Sequence, residues 1–323
     1  MKINWQSLTN QLLLVIMLML SAMAWAGQSS DKSDELTLIN TYDAFGFDQE
    51  GLTHDFGFST IVKYKGKTIL FDAGTHADLF KKNLETLNID PRDIELVILS
   101  HGHYDHMGGL DYLLSVKPDV KLYAPSDFFS LGSPVNFPFR GPEPEVKHTL
   151  PREQCYYGCE KEVGLVVSSG RFWKANITYI KEATVIADGI TLIPTTAPNM
   201  GTFISYPPFE DEPRLLGLPE ISASFNTRKG EVLVVGCSHS TVEKIVRDAN
   251  EVLEDPIHMV AGGFHLIPYD RKYLTALGSR LQGELGVESI APAHCTGHLA
   301  FSILRELYGE NYIFFGLGSA LDI

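Results

Sequence analysis

The sequence has 323 residues, of which 44% are hydrophobic and 20% are charged, so it can bury a large core. Its formal net charge of -14 excludes nucleic acids and anionic membrane surfaces as expected partners, because both attract basic patches. The composition leaves a small molecule as the expected partner and does not determine the oligomeric state.

Residues 1–26 have the pattern of a secretory signal peptide. Lys2 supplies a positive charge, an unbroken apolar run extends from Leu12 to Leu20, and Ala24-Trp25-Ala26 is a cleavage motif of small residues. The alternative is an uncleaved membrane anchor, but a spanning helix needs about 20 apolar residues. We therefore expect cleavage after Ala26 and a periplasmic or secreted mature protein that has no membrane association.

The first half of the mature chain alternates apolar runs with amphipathic segments. The pattern predicts strands at Thr37–Tyr42, Ser59–Tyr64, Thr68–Asp72, Glu95–Ser100 and Lys121–Ala124, and helices at Ala77–Leu87 and Asp105–Val116. Residues 130–169 show no period, and such a long loop is often a lid or a binding loop. In an exported protein Cys155 and Cys159 could form a disulfide within this loop, or remain two free thiols.

The second half begins with strands and then alternates strands with helices. We predict strands at Thr178–Ile186, Ile190–Pro194 and Ile221–Thr227, followed by strand–helix pairs at Val232–Gly236 and Thr241–Asn250, Ile257–Ala261 and Arg271–Leu285, and Ser289–Pro292 and Leu299–Leu307. This order predicts the α/β class, with two sheets covered by helices in a four-layer αββα sandwich. We expect one domain over residues 27–323.

The run His101-Gly102-His103-Tyr104-Asp105-His106 concentrates metal ligands between a predicted strand and a predicted helix. In extended backbone the side chains of His101 and His103 point the same way, and Asp105 and His106 could hold a second ion beside the first. Such a set suits Zn²⁺, or less selectively Mn²⁺ or Fe²⁺. The alternative is a loop of surface histidines, but three of the chain's 11 histidines lie within these six residues.

Further candidate ligands follow predicted strands elsewhere in the chain. We interpret His239 and His294 as metal ligands, whereas His265 could equally face the substrate or support a ligand. Asp72 also ends a strand. Its carboxylate is expected either to accept the second N–H of a ligand imidazole or to cap the following helix.

These motifs resemble a known family. The run from His101 to His106, with Phe71-Asp72-Ala73-Gly74 upstream, resembles the signature of the metallo-β-lactamase superfamily. Residues 235–240, 261–266 and 293–297 are similar to the branch typified by a dihydropterin ribofuranosyl-aminobenzene phosphate synthase. The resemblance extends from about Thr37 to Ser319 and implies the metallo-β-lactamase fold.

The resemblance also implies two divalent cations and their ligand sets. Many members take a ligand from a His that has no equivalent between His148 and His239 here, and Cys237 stands where they often have a bridging Asp. Cys237 could therefore ligate a metal or line the site. We expect one cation to be held by His101, His103 and His239, and the other by Asp105, His106 and His294.

The resulting expectation is an exported hydrolase in which a metal-bound hydroxide attacks an ester, lactone, amide or phosphoester. Asp105 is the residue expected to be essential for catalysis. One alternative is a dihydropterin-related synthase, and another is a metal-loaded binding protein without turnover. A redox-active di-iron enzyme is disfavoured, because members of that type have a Glu where this chain has His103.

Overall fold

Two β-sheets form the centre of the computed structural model, which describes residues 35–126, 175–195 and 218–323. The strands of these ranges are, in chain order, β1 (Leu36–Tyr42), β2 (Ser59–Tyr64), β3 (Lys67–Phe71), β4 (Leu96–Ile98), β5 (Lys121–Pro125), β6 (Asn176–Ile180), β7 (Thr184–Ala187), β8 (Ile190–Thr195), β9 (Glu220–Thr227), β10 (Gly230–Val235), β11 (Ile257–Gly263), β12 (Ser289–Ala293) and β13 (Ala320–Asp322). The first sheet has the order β13-β1-β2-β3-β4-β5-β6 and the second has the order β12-β11-β10-β9-β8-β7.

Each sheet has an antiparallel part and a parallel part. Strands β3 to β6 are parallel in the first sheet, and β10 to β12 are parallel in the second. The carboxyl ends of parallel strands meet at one edge of a sheet, where α/β folds place their functional side chains. The loops that follow β3, β4, β10, β11 and β12 therefore contain the residues of greatest interest.

Helices cover the outer faces of both sheets. They are α1 (Ala77–Thr86), α2 (Tyr104–Met107), α3 (Leu110–Val116), α4 (Val242–Val252), α5 (Arg271–Gly283) and α6 (His298–Tyr308). In α4 the buried residues Val242, Ile245, Val246 and Ala249 recur at the spacing of one helix face. These residues pack with α5, α6 and the second sheet, whereas α1 and α3 pack on the first sheet.

A third apolar cluster lies between the sheets and includes Phe58, Phe71, Ile98, Phe225 and Val234. Successive strand residues face opposite sides of a sheet: Val97 packs towards the helices, and its neighbour Ile98 packs towards the other sheet. Helices, sheet, sheet and helices thus form the predicted four-layer αββα sandwich. Among the residues described, no helix is long and apolar enough to span a membrane.

The structure corrects three details of the predicted elements. The predicted strand Thr178–Ile186 is two strands, because the exposed residues 181–183 carry the chain from β6 in one sheet to β7 in the other. The predicted helix Asp105–Val116 is interrupted at Gly108 and Gly109, and it forms α2 and α3. Strand β13 was not predicted, since three residues beside β1 carry no clear pattern.

Several predictions concern residues outside the described ranges. These are the signal peptide at residues 1–26, the loop at residues 130–169 and the disulfide between Cys155 and Cys159. They stay predictions from the sequence.

Close packing at Gly108 gives a stability test. A Cβ atom there would lie 1.7 Å from the carbonyl oxygen of Thr75, so Gly108→Ala requires the backbone to move. We expect the free energy of unfolding to fall by at least about 1–3 kcal/mol in urea titrations, the usual range for overpacking. Gly283→Ala is the control, because a Cβ there meets nothing within 4 Å, and it should change stability by less than about 1 kcal/mol. Equal effects of the two substitutions would contradict this account.

Candidate metal centre

The loop after β4 and the first turn of α2 place four ligand-type side chains together. His101 and His106 are buried, whereas His103 and Asp105 are partly exposed. The His103 backbone is extended, and α2 begins at the next residue, so Asp105 and His106 lie on its first turn. The sequence run therefore folds as a tight strand-to-helix turn, as predicted.

The loops after β10, β11 and β12 bring three distant histidines to this turn. The ring centre of His239 lies 4.8 Å from that of His101 and 4.6 Å from that of His103. The ring centre of His294 lies 5.0 Å from that of His106. His265 lies next to His239, with 4.3 Å between their ring centres. The two sheets thus both contribute to one cluster.

Within this cluster the possible ligand atoms form three groups, and Cys237 belongs to all of them. Atoms of Asp105, His106, Cys237 and His294 lie within 4.8 Å of one another, and so do atoms of His101, Cys237 and His239. Cys237, His265 and Cys295 form the third group. The first two groups contain five of the six predicted ligands, divided as expected from the resemblance. His103 belongs to none of the three, although its ring lies beside those of His101 and His239.

The buried carboxylate of Asp72 orients two of the histidines. It accepts hydrogen bonds from Nδ1 of His106 at 2.7 Å and from Oγ of Ser100 at 2.6 Å. Because Ser100 Oγ donates to Asp72, it accepts from Nδ1 of His101, which lies 2.8 Å away. Both imidazoles therefore carry their proton on Nδ1 and direct the lone pair of Nε2 into the cluster. Asp72 has the supporting role that was one of its two predicted alternatives.

Several buried nitrogen atoms in the cluster have no hydrogen-bond partner. They are Nε2 of His101, Nε2 of His239 and both ring nitrogens of His294. Asp105 Oδ2 lies 3.4 Å from Nε2 of His294 and 3.7 Å from Nε2 of His106, so these atoms converge without pairing well. Buried polar atoms normally find a partner. Imidazole, carboxylate and thiol donors around a common point fit a divalent metal ion such as zinc.

The protonation states of His101, His103 and His239 agree with a role in binding a metal ion. Burial and the neighbouring histidines lower the pKa of His101 well below its usual value, and burial also lowers that of His103. The same causes lower the pKa of His239 to about 2. These imidazoles are neutral at pH 7, which is the form that binds a metal ion.

The surroundings of His294 and Asp105 favour the charged forms of both side chains. Burial would lower the pKa of His294, but Cys295, Asp105 and Asp43 together raise it to about 9. Burial opposes the charge on Asp105, but the proximity of His294 and His106 holds its pKa well below the usual range. Without a cation, His294 is therefore protonated and lies beside the charged carboxylate. A metal ion has to displace that proton.

Two buried carboxylates hold ligand backbones in place and were missed in the sequence. Asp43 accepts the backbone N–H of His294 at 3.0 Å, and Glu220 accepts the backbone N–H of His239 at 3.1 Å. Burial raises the pKa of Asp43 to about 6 and that of Glu220 to about 7. Both acidic residues adjoin predicted strands rather than the histidine motifs, and that position is the signal that could have identified them.

Cys237 and Cys295 are free, buried thiols whose sulfur atoms lie 3.3 Å apart. Burial raises the pKa of Cys237. Burial also opposes ionisation of Cys295, but its hydrogen bond with Cys237 and the proximity of His294 lower its pKa. Without a cation, the sulfur pair therefore holds one negative charge readily and resists a second.

The Asp72 network predicts a measurable effect on metal affinity. Asp72→Asn replaces one carboxylate oxygen by an NH₂ group, which cannot accept the hydrogen bonds that orient His101 and His106. We expect the affinity for Zn²⁺ to fall by about 10–100-fold in a competition titration against a chromophoric chelator. Asp188→Asn is the control, because Asp188 is an exposed partner of Lys65, and it should leave the affinity unchanged. An unchanged affinity in Asp72→Asn would exclude the orienting role.

The lowered histidine pKa values predict how stability depends on pH. In the metal-free protein His101 and His239 stay neutral, whereas in the unfolded chain they take up protons near pH 6.5. Their stabilising contribution is therefore present above about pH 6.5 and is lost as the pH falls. We expect each imidazole to lower the free energy of unfolding by up to about 1.4 kcal/mol per pH unit from about pH 7 to 5, against an opposite contribution from Asp43 and Glu220, whose raised pKa values let the folded protein bind their protons first.

Urea titrations in the presence of a chelator measure this slope. His294 does not add to it, because a pKa raised to about 9 gives a contribution that is complete below pH 6.5 and is lost only as the pH rises through 9. His239→Asn should change the slope by up to about 1.4 kcal/mol per pH unit, in the direction of higher stability at low pH. His258→Asn, in a pair with Glu288 away from the cluster, should not change it. Identical slopes in the two variants would refute the assignment.

Comparison with known proteins points to one family. A model of the metallo-β-lactamase superfamily matches residues 52–199. The 7,8-dihydropterin-6-methyl-4-(β-D-ribofuranosyl)-aminobenzene-5'-phosphate synthase of Methanocaldococcus jannaschii is 27% identical over 285 residues, covering 80% of this chain and 86% of the relative. An uncharacterised protein of the same organism is 27% identical over 273 residues, covering 83% of this chain and 93% of that protein.

A solved structure agrees with the fold. Tm1679, described as a metal-dependent hydrolase of the β-lactamase superfamily, matches 89% of this chain and 99% of its own with a TM-score of 0.64 and 24% identity. The αββα sandwich is thus the metallo-β-lactamase fold, and the family model over residues 52–199 and the two relatives show that the chain is similar to members of the metallo-β-lactamase superfamily.

Proposed function

We propose that the protein is a hydrolase that holds two divalent cations and cleaves an ester, lactone, amide or phosphoester bond in a small molecule. The observation that supports it is the convergence of two groups of ligand atoms, drawn from both sheets, on one buried cluster. Zn²⁺ is the preferred metal for mixed imidazole, carboxylate and thiol ligands, with Mn²⁺ or Fe²⁺ as alternatives.

In this proposal one cation is held by His101, His103 and His239, and the other by Asp105, His106 and His294. Metal ions bound in this way lower the pKa of water to about 7 and polarise the bond that is cleaved. Asp105 is the essential acidic residue, because its lowered pKa keeps the carboxylate charged.

Other residues of the chain hold the ligands and shape the opening. Asp72 fixes the tautomers of His101 and His106, so that both lone pairs face inwards. The ring of Phe56 is half-exposed and its centre lies 4.8 Å from that of His294, where it can contact an apolar part of a substrate. The partly exposed His265 can donate a hydrogen bond to the substrate's polar groups.

A dihydropterin-related synthase is the second candidate. The observation that favours it is the relative of that name, which matches along 80% of this chain and 86% of its own length. We give it second place because the activity in that relative's name concerns one phosphorylated pterin product, whereas the predicted signal peptide would take this protein out of the cell.

We also propose that the protein is exported and is periplasmic or secreted after cleavage at Ala26. The support is the sequence of residues 1–26 alone, with its charged start, apolar run and small residues. A small-molecule substrate and the absence of nucleic acid partners are proposed from the net charge of -14.

The decisive experiment is a hydrolysis screen on the zinc-loaded mature protein. Chromogenic carboxyl esters, lactones, phosphomonoesters and phosphodiesters are tested with the native protein and with Asp105→Ala. We expect activity on at least one class and a loss of about 100-fold or more in the variant, because the second cation loses its carboxylate. Asp119→Ala, at an exposed carboxylate outside the cluster, is the matched control and should retain full activity.

The possible outcomes separate the candidates. Loss of metal from Asp105→Ala without loss of activity would refute the mechanism. Full metal loading with no hydrolysis in any class, but with turnover of a dihydropterin substrate, would favour the synthase. Full loading without turnover of either kind would favour a metal-loaded binding protein.

A further inference from the structure

Cys237 occupies a central position between the two groups of ligand atoms. Its sulfur lies within 4.8 Å of the ligand atoms of Asp105, His106 and His294, and equally of those of His101 and His239. Of the described residues, it is the one that appears in both of these groups, and it also belongs to the third group with His265 and Cys295. Its Sγ is 3.1 Å from Nε2 of His106, the nitrogen that Asp72 leaves free to bind a metal. The side chain is buried and belongs to a free cysteine.

We infer that the sulfur of Cys237 is a shared ligand that bridges the two cations. This inference rests on the proposed dinuclear function and specifies how the two sites are joined. When the metals bind, the S–H bond of Cys237 breaks, its proton passes to solvent, and the sulfur lone pairs are donated to the two cations. No oxidant or other reactant is needed, because a thiol that coordinates a metal ion is deprotonated outright.

The loop that contains Cys237 is fixed on both sides, as a bridging ligand requires. Before it, β10 ends at Val235 in the buried centre of the second sheet. After it, Ser238 has a left-handed backbone with a φ of 60° and donates a hydrogen bond from Oγ to the carbonyl oxygen of Gly263 at 2.7 Å. Glu220 then holds the backbone N–H of His239. The sulfur therefore has a defined position before any metal arrives.

Cys295 is suited to a supporting role rather than to the bridge. Its sulfur groups only with Cys237 and His265, and it lies 3.3 Å from the sulfur of Cys237, to which it can donate its S–H. A hydrogen bond to a thiolate disperses its charge, as other partners of metal ligands do. Although the two cysteines are neighbours, they have different functions in the proposed centre.

X-ray absorption at the zinc edge tests the bridge without measuring activity. The protein is loaded with two equivalents of Zn²⁺ under reducing conditions, and the Zn–S shell near 2.3 Å is counted. A bridging sulfur contacts both ions, so we expect an average of about one sulfur per zinc. A sulfur bound to one ion only would give about half that number, and this result would overturn the inference.

Two isosteric variants provide the matched comparison. Cys295→Ser should leave the sulfur shell unchanged, whereas Cys237→Ser should abolish it. If Cys295→Ser also reduces the shell, the metal is bound by the alternative group of Cys237, His265 and Cys295, and the bridge is refuted.

Metal stoichiometry separates this inference from the proposed function. If the native protein binds fewer than two equivalents of Zn²⁺, as measured by elemental analysis after gel filtration, both the dinuclear proposal and the bridge fail. If it binds two equivalents but shows no shared sulfur, only the bridge fails.

Discussion

The buried carboxylate of Asp72 is the interaction on which the candidate metal centre depends. It lies at the end of β3 and accepts hydrogen bonds from the backbone N–H of Ser100, from the hydroxyl of Ser100 and from His106. Through the hydroxyl it also determines the tautomer of His101. One carboxylate thus joins two neighbouring strands of the first sheet and fixes the direction of two imidazole lone pairs. A change in this residue would disturb local folding and ligand geometry together.

The centre also depends on the packing of the two sheets against each other. The loop after β4 belongs to the first sheet, whereas His239, His265 and His294 follow strands of the second. Ser238, His265 and His294 have positive φ angles of 60°, 50° and 48°, which are uncommon for residues other than glycine. Such conformations persist when the surrounding structure determines them. The positions of these side chains therefore depend on the packing of the surrounding structure.

The sequence predicted those parts of the molecule that have a local signal. Strand–helix alternation and the run from His101 to His106 were sufficient for the four-layer fold and for one wall of the site, and the histidines after β10 and β12 supplied the other wall. The positions of Asp43 and Glu220 beside predicted strands make them candidates, but their partners could not be assigned, because these contacts depend on which strands become neighbours. The sequence also could not show that His103 lies outside the groups of closest ligand atoms, because this depends on distances between side chains.

Local charge would reconcile the acidic composition of the protein with the activity that we propose on anionic or carbonyl substrates. The chain has a formal net charge of -14, which disfavours extended polyanions. Within the proposed centre, however, the ligands are neutral imidazoles together with the Asp105 carboxylate and one thiolate, so two divalent cations leave an excess of about two positive charges. That excess is confined to a buried cluster, where electrostatic interactions are screened less than at the surface. A small substrate bound at the proposed centre would meet this field directly, whereas a long polyanion would meet the acidic surface first.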